Sequence, residues 1–284
     1  MISKLALGTA QLGVDAYGIS NSSPKPKQNE VNEILDYALN KGIVNLDISN
    51  IYGSAERYFG NYSNRNLFKI NMKISECSLE SSMDRMKIDK AESCMIHHFE
   101  DFVEDDSIIE PLLLAKKHGQ LNKTGFSLHY PEELNFIIEY DVPCDIVQIP
   151  FNISDTRFIN LIEKAKEKNI EVHARSCFLQ GVFFMNPDKA PDLLQSRVQK
   201  IKQYSEDNEY DIDKILMGFC LENNIDKLVF GVNNKEQLQR NIEISQGSRY
   251  KLSSEFLDFM SSTNEDMLLP FRWKEDDWLE KLEK

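Results

Sequence analysis

The hydrophobic residues of this chain fall into short apolar runs that alternate with longer amphipathic segments from one end to the other. Short apolar runs bounded by polar or turn residues are typical of buried β-strands. The pattern predicts eight strands, over residues 4–8, 43–47, 68–73, 93–98, 123–127, 145–150, 170–175 and 227–231.

The segments between these runs repeat their apolar residues at helical spacing. Val31, Leu35 and Ala38 lie on one face of a predicted helix that Gly42 ends. This helix spans 29–42, and the others span 78–87, 107–119, 131–140, 155–169, the region 193–223, and 234–245.

A strand followed by a helix, repeated eight times, predicts an α/β fold of the (β/α)8 TIM-barrel type. No GxGxxG motif follows the first strand, which disfavours an open dinucleotide-binding sheet. No linker divides the chain, so we expect a single domain. Residues 1–245 would form the barrel, which is both catalytic and cofactor-binding, and residues 246–284 a C-terminal extension packing on it.

Composition narrows the possible partners. The formal charge is −13, which argues against nucleic acid or an anionic membrane. The five cysteines form no CxxC pair, so neither a disulfide framework nor a zinc site is indicated. No secretory signal or membrane-spanning stretch is recognisable. The sequence therefore predicts a cytoplasmic protein, and it leaves the oligomeric state open.

Polar residues stand where three consecutive predicted strands end, which is where a barrel of this kind places its chemistry. Asp47 and Tyr52 follow the second strand, Lys73 ends the third, and His97 ends the fourth. A phenol can deliver a proton if a nearby ammonium lowers its pKa, and a carboxylate can hold that ammonium. A neutral imidazole can orient a carbonyl oxygen. Together they suit proton delivery to a developing oxyanion.

The adjacent histidines 97 and 98 leave an alternative, a metal-dependent hydrolase. Neighbouring residues on a strand point to opposite faces, so we expect only His97 to face the substrate and His98 to pack outward or cap a turn. No further ligand cluster is visible, and no metal is therefore expected.

The segments that carry this chemistry resemble those of the aldo-keto reductase family. They are LALGTAQLG, LDISNIYGSAERYFG, INMKIS, MIHHFED, GFSLH, VQIPFNISD, ARSCFLQGVFF and VFGVNNKEQLQRN, in this order. The resemblance implies a barrel that binds NADP or NAD and transfers hydride to or from a carbonyl carbon. It gives Tyr52 the role of general acid, with Lys73, Asp47 and His97 in support.

The resemblance also implies a set of cofactor contacts. Gln148, Asn152 and Ser127 match positions that bind or support the nicotinamide carboxamide, and Asn241 matches one that touches adenine. The full implied set is Gly8, Thr9, Ser127, Gln148, Arg175, Ser176, Gly231, Val232, Asn233, Gln237 and Asn241.

Three departures from the family pattern leave a second function open. Leu128 stands where an Asn is usual, Arg175 where an aromatic is common, and Val232 where a hydroxyl residue accompanies NADP. A low-turnover nucleotide-sensing or scaffolding barrel is therefore the alternative. Lys235 and Arg240 are the candidate partners for a 2′-phosphate, and the resemblance places NADP slightly ahead of NAD.

The substrate is expected to be an aldehyde, a ketone or a sugar-type carbonyl. The short loop after the first strand, which contains Asp15 and Tyr17, resembles that of relatives that act on sugars. The tail segment LLPFRW is expected either to cover the mouth of the pocket or to pack on the side of the barrel.

Overall fold

A computed structural model describes residues 2–273, so that 274–284 of the expected extension lie outside the described residues. Eight parallel strands close into a barrel in chain order, which confirms the predicted (β/α)8 architecture. The strands are β1 Leu5–Gly8, β2 Asn45–Ser49, β3 Lys69–Ile74, β4 Ala91–Ile96, β5 Leu121–Ser127, β6 Ile146–Pro150, β7 Glu171–Arg175 and β8 Lys227–Gly231.

The helices follow the strands on the outside of the barrel. They are α1 Ala10–Gly13, α2 Gln28–Asn40, α3 Ala55–Gly60, α4 Leu79–Met86, α5 Phe99–Glu104, α6 Glu110–Lys117, α7 Pro131–Glu139, α8 Ile159–Glu167, α9 Asp192–Asn208, α10 Ile212–Glu222, α11 Lys235–Gln246, α12 Ser254–Met260 and α13 Glu265–Leu268. The predicted region 193–223 contains two helices, because the chain turns at Glu209, whose φ of 55° is left-handed.

The strand register brings the polar strand ends to one rim. Asp47 pairs with Gly8 of β1, and Ser49, two residues further along β2, pairs with Lys73 of β3. In turn, Lys73 pairs with Met95 near the end of β4. Because the strands are parallel and paired in this register, the residues that follow each strand lie at the carboxyl end of the barrel.

Two hydrophobic clusters hold the molecule together. The larger one fills the space between strands and helices around the barrel. The second joins α9 to α12, and it includes Phe183, which follows β7, and Trp273 at the last described position. The second cluster fixes the segment after β7 and the tail beside the carboxyl rim.

Candidate active site

Lys73, Asp47 and Gln148 form a closed hydrogen-bonded triangle inside the rim. The Nζ atom of Lys73 lies 2.7 and 2.6 Å from the two carboxylate oxygens of Asp47 and 2.9 Å from Oε1 of Gln148. Nε2 of Gln148 donates to Asp47 at 2.7 Å. Lys73 is 1% exposed and Asp47 3%. The ammonium is thus removed from water and compensated by one carboxylate, as predicted for this pair.

Burial and charge act in opposite senses on this ammonium. Removal from water lowers the pKa of Lys73, and the Asp47 carboxylate, which raises it, offsets part of that change. The net effect is a lowered pKa of Lys73.

Two glycines allow the Tyr52 loop to approach the barrel. A Cβ on Gly13 would lie 1.9 Å from the carbonyl oxygen of Tyr52, and Gly53 has a φ of +52°. The N–H of Ser54 donates to the carbonyl of Gly13 at 3.0 Å, which joins α1 to this loop. The Tyr-Gly pair in the sequence therefore has a steric reason, because a side chain at either glycine would clash with the backbone where α1 meets the Tyr52 loop.

The phenol of Tyr52 lies among charges, with Nζ of Lys73 5.3 Å from its ring centroid. Burial raises the pKa of Tyr52, the Asp47 carboxylate raises it further, and the Arg175 guanidinium opposes them. The sequence argument expected Lys73 to lower this pKa. In the structure burial and the Asp47 carboxylate outweigh the Arg175 guanidinium, so that the phenol keeps its proton, which is the state that a general acid requires.

His97 is held by a residue on β2. Its Nδ1 atom lies 2.9 Å from Oγ of Ser49, and the N–H of Ile51 points at the same Oγ at 3.5 Å. Burial, followed by the Lys73 charge, holds the pKa of His97 well below its usual range. The imidazole is therefore neutral, and its Nε2 is left for the cavity. Its ring packs edge-on to that of Tyr52, with centroids 6.0 Å apart.

The expectation that His98 packs outward is wrong. Its ring stacks on His97 at 4.8 Å, and both line the same cavity. The strand alternation does not apply because β4 ends at Ile96, one residue before the pair. His98 is at the N-cap position of α5, but its side chain makes no cap hydrogen bond.

The four predicted catalytic residues line one cavity of ≈ 1840 Å³. It runs across the carboxyl rim from β4 to β8 and the start of α11. Of the implied cofactor contacts, it is lined by Gly8, Ser127, Gln148, Arg175, Ser176, Gly231, Asn233, Gln237 and Asn241.

Thr9 and Val232 do not line the cavity, although the sequence placed them among the cofactor contacts. The hydroxyl of Thr9 donates to the carbonyl of Asp47 at 2.9 Å and so joins β1 to β2. The side chain of Val232 is completely buried in the larger cluster. Asn152 is also buried away from the cavity, and its amide donates to the carbonyl of Ser176 at 3.2 Å.

Arg175 forms one wall of the cavity together with the tail. Its guanidinium donates to the carbonyl of Leu128 at 3.0 Å and lies 3.3 Å from Nδ1 of His129. The ring of Phe271 packs edge-on to His129 at 5.3 Å. Residues 268–271 also line the cavity. Both places considered for LLPFRW are occupied, because residues 268–271 line the cavity and Trp273 packs in the second hydrophobic cluster.

The segment after β7 has an unusual backbone. Ser176, Leu179 and Gln180 all have positive φ, of 65°, 42° and 53°. Such values cost free energy in residues with a Cβ, and they are concentrated at functional sites. Ser20, in the loop after β1, donates from its hydroxyl to the carbonyl of Gln180 at 3.2 Å. Two rim loops therefore meet across the cavity.

The part of the cavity at β8 offers groups that suit a nucleotide. The side chain of Asn234 caps α11 by accepting the N–H of Gln237 at 2.9 Å. Asn21 of the β1 loop donates to Oδ1 of Asn233 at 3.1 Å. Side-chain amides and the N–H groups of a helix start can bind phosphate and ribose oxygens. A Cβ on Gly231 would lie 1.8 Å from Oε1 of Gln11, so the backbone is closely approached here. The residues present fit a nicotinamide dinucleotide.

The adjacent histidines raise the question of a metal site. Across residues 2–273, no three His, Cys, Asp or Glu side chains are grouped so that they could hold an ion.

Within residues 2–273 no helix is long and apolar enough to cross a membrane.

Sequence reasoning missed two residues beside the reacting groups. Ser49 lies two residues after Asp47 on β2, and the period of a strand could have placed both on one face. The phenol of Tyr17 lines the cavity and interacts electrostatically with Tyr52, and burial raises its pKa. The sequence named Tyr17 only as part of the loop after the first strand, and because that loop has no regular periodicity, no pattern placed the phenol beside Tyr52.

Comparison with known proteins gives the class. A sequence model described as the Aldo/keto reductase family matches residues 4–264. The chain therefore belongs to the aldo-keto reductase family, whose members are oxidoreductases that use NAD(P)H. A comparison with curated proteins finds no match.

Solved structures with the same fold are distant in sequence. An aldo-keto reductase from Bacillus halodurans in its holo form is 17% identical, with a TM-score of 0.70 over 90% of each chain. A putative aldo-keto reductase from Pseudomonas aeruginosa is 19% identical, with a TM-score of 0.67 over 85% of this chain and 89% of that one.

Proposed function

We propose that this protein reduces the carbonyl group of an aldehyde, ketone or sugar-type substrate to an alcohol, or catalyses the reverse reaction, with NADP or NAD. The observation that carries the proposal is the convergence of Asp47, Tyr52, Lys73 and His97 on one cavity large enough for a dinucleotide and a small substrate. When bound, the nicotinamide ring supplies or accepts the hydride.

The chain's own residues handle the proton. Tyr52 holds it at the phenolic oxygen because burial keeps the phenol neutral. Neutral His97 presents Nε2 to the cavity, where an N–H donor can orient the carbonyl oxygen and stabilise its developing charge. As the phenol loses its proton, the ammonium of Lys73 and the guanidinium of Arg175 stabilise the phenolate.

The triangle of Lys73, Asp47 and Gln148 keeps these charges in place before any substrate arrives. Both amide atoms of Gln148 are engaged, yet its nitrogen carries a second hydrogen and its oxygen a second lone pair. The proposed contact of Gln148 with a carboxamide is therefore compatible with the triangle.

Cofactor binding and turnover can be tested separately. The protein is titrated with NADH and NADPH by fluorescence, and aldehydes, ketones and sugars are then screened for reduction. Enzymes typically bind substrates at ~1 μM to 1 mM, so failure to bind either dinucleotide at about 1 mM would falsify the proposal. Binding without turnover across the panel would favour the sensing or scaffolding alternative.

Three further statements remain predictions of the sequence: a cytoplasmic location, the absence of nucleic-acid or membrane partners, and the domain division at residue 245. The family match extends beyond 245, to residue 264.

A further inference from the structure

The part of the cavity at β8 carries an unusual balance of charge. We call it the α11 arm, and it is lined by Asp213, Gly231, Asn233, Asn234, Glu236, Gln237, Arg240 and Asn241. In the closed strand order β8 lies opposite β4, which carries His97 towards the same cavity. An extended dinucleotide that reacts beside His97 and Tyr52 would therefore place its adenosine half in the arm. The inference that follows rests on the proposed function in this respect.

The guanidinium of Arg240 is already engaged by two carboxylates. Its Nε lies 2.8 Å from Oδ2 of Asp213, and its Nη2 lies 3.0 Å from Oδ1 of the same residue. Oδ2 of Asp211 lies 2.9 Å from the same Nη2. Arg240 is the sole cation among the described residues that line the arm. Lys235 is turned towards α2, with Nζ 5.3 Å from the ring of Tyr37.

The net charge of the side chains in and beside the α11 arm is negative. Asp213 and Glu236 line the arm and Asp211 adjoins it, against one guanidinium. A 2′-phosphate monoester adds roughly 1.5 to 2 negative charges at pH 7. If Arg240 turned towards such a phosphate, it would leave the carboxylates of Asp211 and Asp213 uncompensated beside it. Exposed ion pairs contribute only ~0–1 kcal/mol each. The net charge of the arm therefore decides whether a 2′-phosphate binds there more than the strength of any one ion pair does.

Carboxylates suit NAD, the dinucleotide that has no 2′-phosphate. A ribose with free hydroxyls presents O–H donors, and an acidic side chain is the usual acceptor for the 2′-hydroxyl of NAD in other folds. We propose that the α11 arm selects NAD(H) and discriminates against the 2′-phosphate of NADP(H), with Asp213 and Glu236 as the specificity-determining residues. The family resemblance had placed NADP slightly ahead of NAD, with Lys235 and Arg240 as the candidate partners for the 2′-phosphate.

The first test is equilibrium binding without substrate. Dissociation constants for NADH and NADPH are measured by fluorescence on the full chain, and NADH should bind at least about tenfold more tightly, which corresponds to ~1.4 kcal/mol. Raising the salt from about 10 to 150 mM should improve NADPH binding relative to NADH, because screening weakens the repulsion of the phosphate. Equal or tighter binding of NADPH would overturn the inference and leave the proposed function intact. Binding of neither would overturn both.

The second test removes the acids. The double substitution Asp211→Asn with Asp213→Asn should tighten NADPH binding at least ~3-fold because it leaves Arg240 free to meet the phosphate. Asp211 makes no cap hydrogen bond to α10, so its exchange removes no cap. Glu236→Gln, at an exposed position, should act in the same direction without any change to Arg240.

Glu243→Gln is the matched control. It removes the same charge from α11, but Glu243 does not line the cavity and accepts a hydrogen bond from Gln239 at 2.9 Å. Its NADPH and NADH affinities should stay at the wild-type values. Thermal unfolding of each sample verifies the fold. If the acid substitutions leave NADPH affinity unchanged in folded protein, or if the control shifts it equally, the assignment to Asp213 and Glu236 is wrong.

Discussion

The hydroxyl of Ser49 lies 2.9 Å from Nδ1 of His97, so the serine and the imidazole are in direct hydrogen-bond contact. The N–H of Ile51 approaches the same Oγ, and we predict that the hydroxyl hydrogen is donated to Nδ1. A neutral imidazole whose Nδ1 accepts must carry its proton on Nε2. The nitrogen that faces the cavity is then a donor, as the orientation of a carbonyl oxygen requires.

Ser49→Ala should therefore lower kcat by about fivefold to tenfold, since one net hydrogen bond contributes ~1 kcal/mol. The ¹⁵N shifts of His97 should show a pure Nε2–H tautomer in the wild type and a mixture in the variant. Ser93→Ala is the control, because Ser93 is a buried serine on β4 that donates to Asn71 outside the cavity. Unchanged shifts and unchanged kcat in Ser49→Ala would rule out this role.

The buried pair of Lys73 and Asp47 should show strong coupling in stability. Asp47→Asn and Lys73→Met should each lower the free energy of unfolding by about 3–5 kcal/mol, because each leaves an uncompensated buried charge. The double variant should lose much less than the sum of the two. Urea denaturation measures the cycle. Lys123→Met, which removes a half-buried lysine near the start of β5, should cost ~1 kcal/mol or less. Additive losses at 47 and 73 would contradict a coupled pair.

Two histidines of the site should make the protein sensitive to acid. Burial lowers the pKa of His97 well below 6.5 and that of His129 to about 2. Below pH 6.5 the unfolded chain binds these protons and the native protein does not, so stability falls as the pH falls, by ~1.4 kcal/mol per pH unit for each. Glu133, whose pKa burial raises to about 7, acts in the opposite sense.

His129→Gln should remove about one proton from this linkage. The free energy of unfolding of the variant, measured in urea between pH 5 and 6.5, should fall less steeply with acidification than that of the wild type. Parallel curves for the two proteins would show that His129 is protonated to the same extent in the native and unfolded states.

The tail should control access of the substrate and leave the dinucleotide unaffected. Phe271→Ala removes the ring that packs on His129 at the cavity wall. We expect KM for the carbonyl substrate to rise several-fold, because the ring contributes binding that is the same in the ground state and the transition state. The NADH dissociation constant should stay within about twofold of the wild type. Phe259→Ala, an exposed position on α12 that does not line the cavity, is the control. A substrate KM that changes equally in both variants would rule out the role of the tail.

The barrel could be predicted because its strands are short and mostly buried, so that most of them read as apolar runs between polar or turn residues. The short helices α1 and α5 carry too few apolar positions to show a period. The convergence of Asp47, Tyr52, Lys73 and His97 followed from the rule that strand ends meet at one rim.

What the sequence could not give was the balance between competing effects at that rim. The raised pKa of Tyr52 depends on burial outweighing the Arg175 guanidinium, and composition carries no measure of burial. The stacking of His98 on His97 depends on where β4 ends, and strand boundaries are the least certain part of a pattern. The engagement of Arg240 by Asp213 joins two helices whose mutual position only the fold defines.

The most direct test of the account is the exchange of single phenols in the cavity. Tyr52→Phe should lower kcat for carbonyl reduction at least ~100-fold, the contribution of a general acid, while the NADH dissociation constant stays within about twofold. Tyr62→Phe is the control, because its phenol donates to Asp36 at 2.6 Å away from the cavity. Tyr17→Phe, in the same cavity, should lose far less than Tyr52→Phe. Retained reduction in Tyr52→Phe, or a greater loss in Tyr17→Phe, would contradict the assignment of Tyr52 as the proton donor.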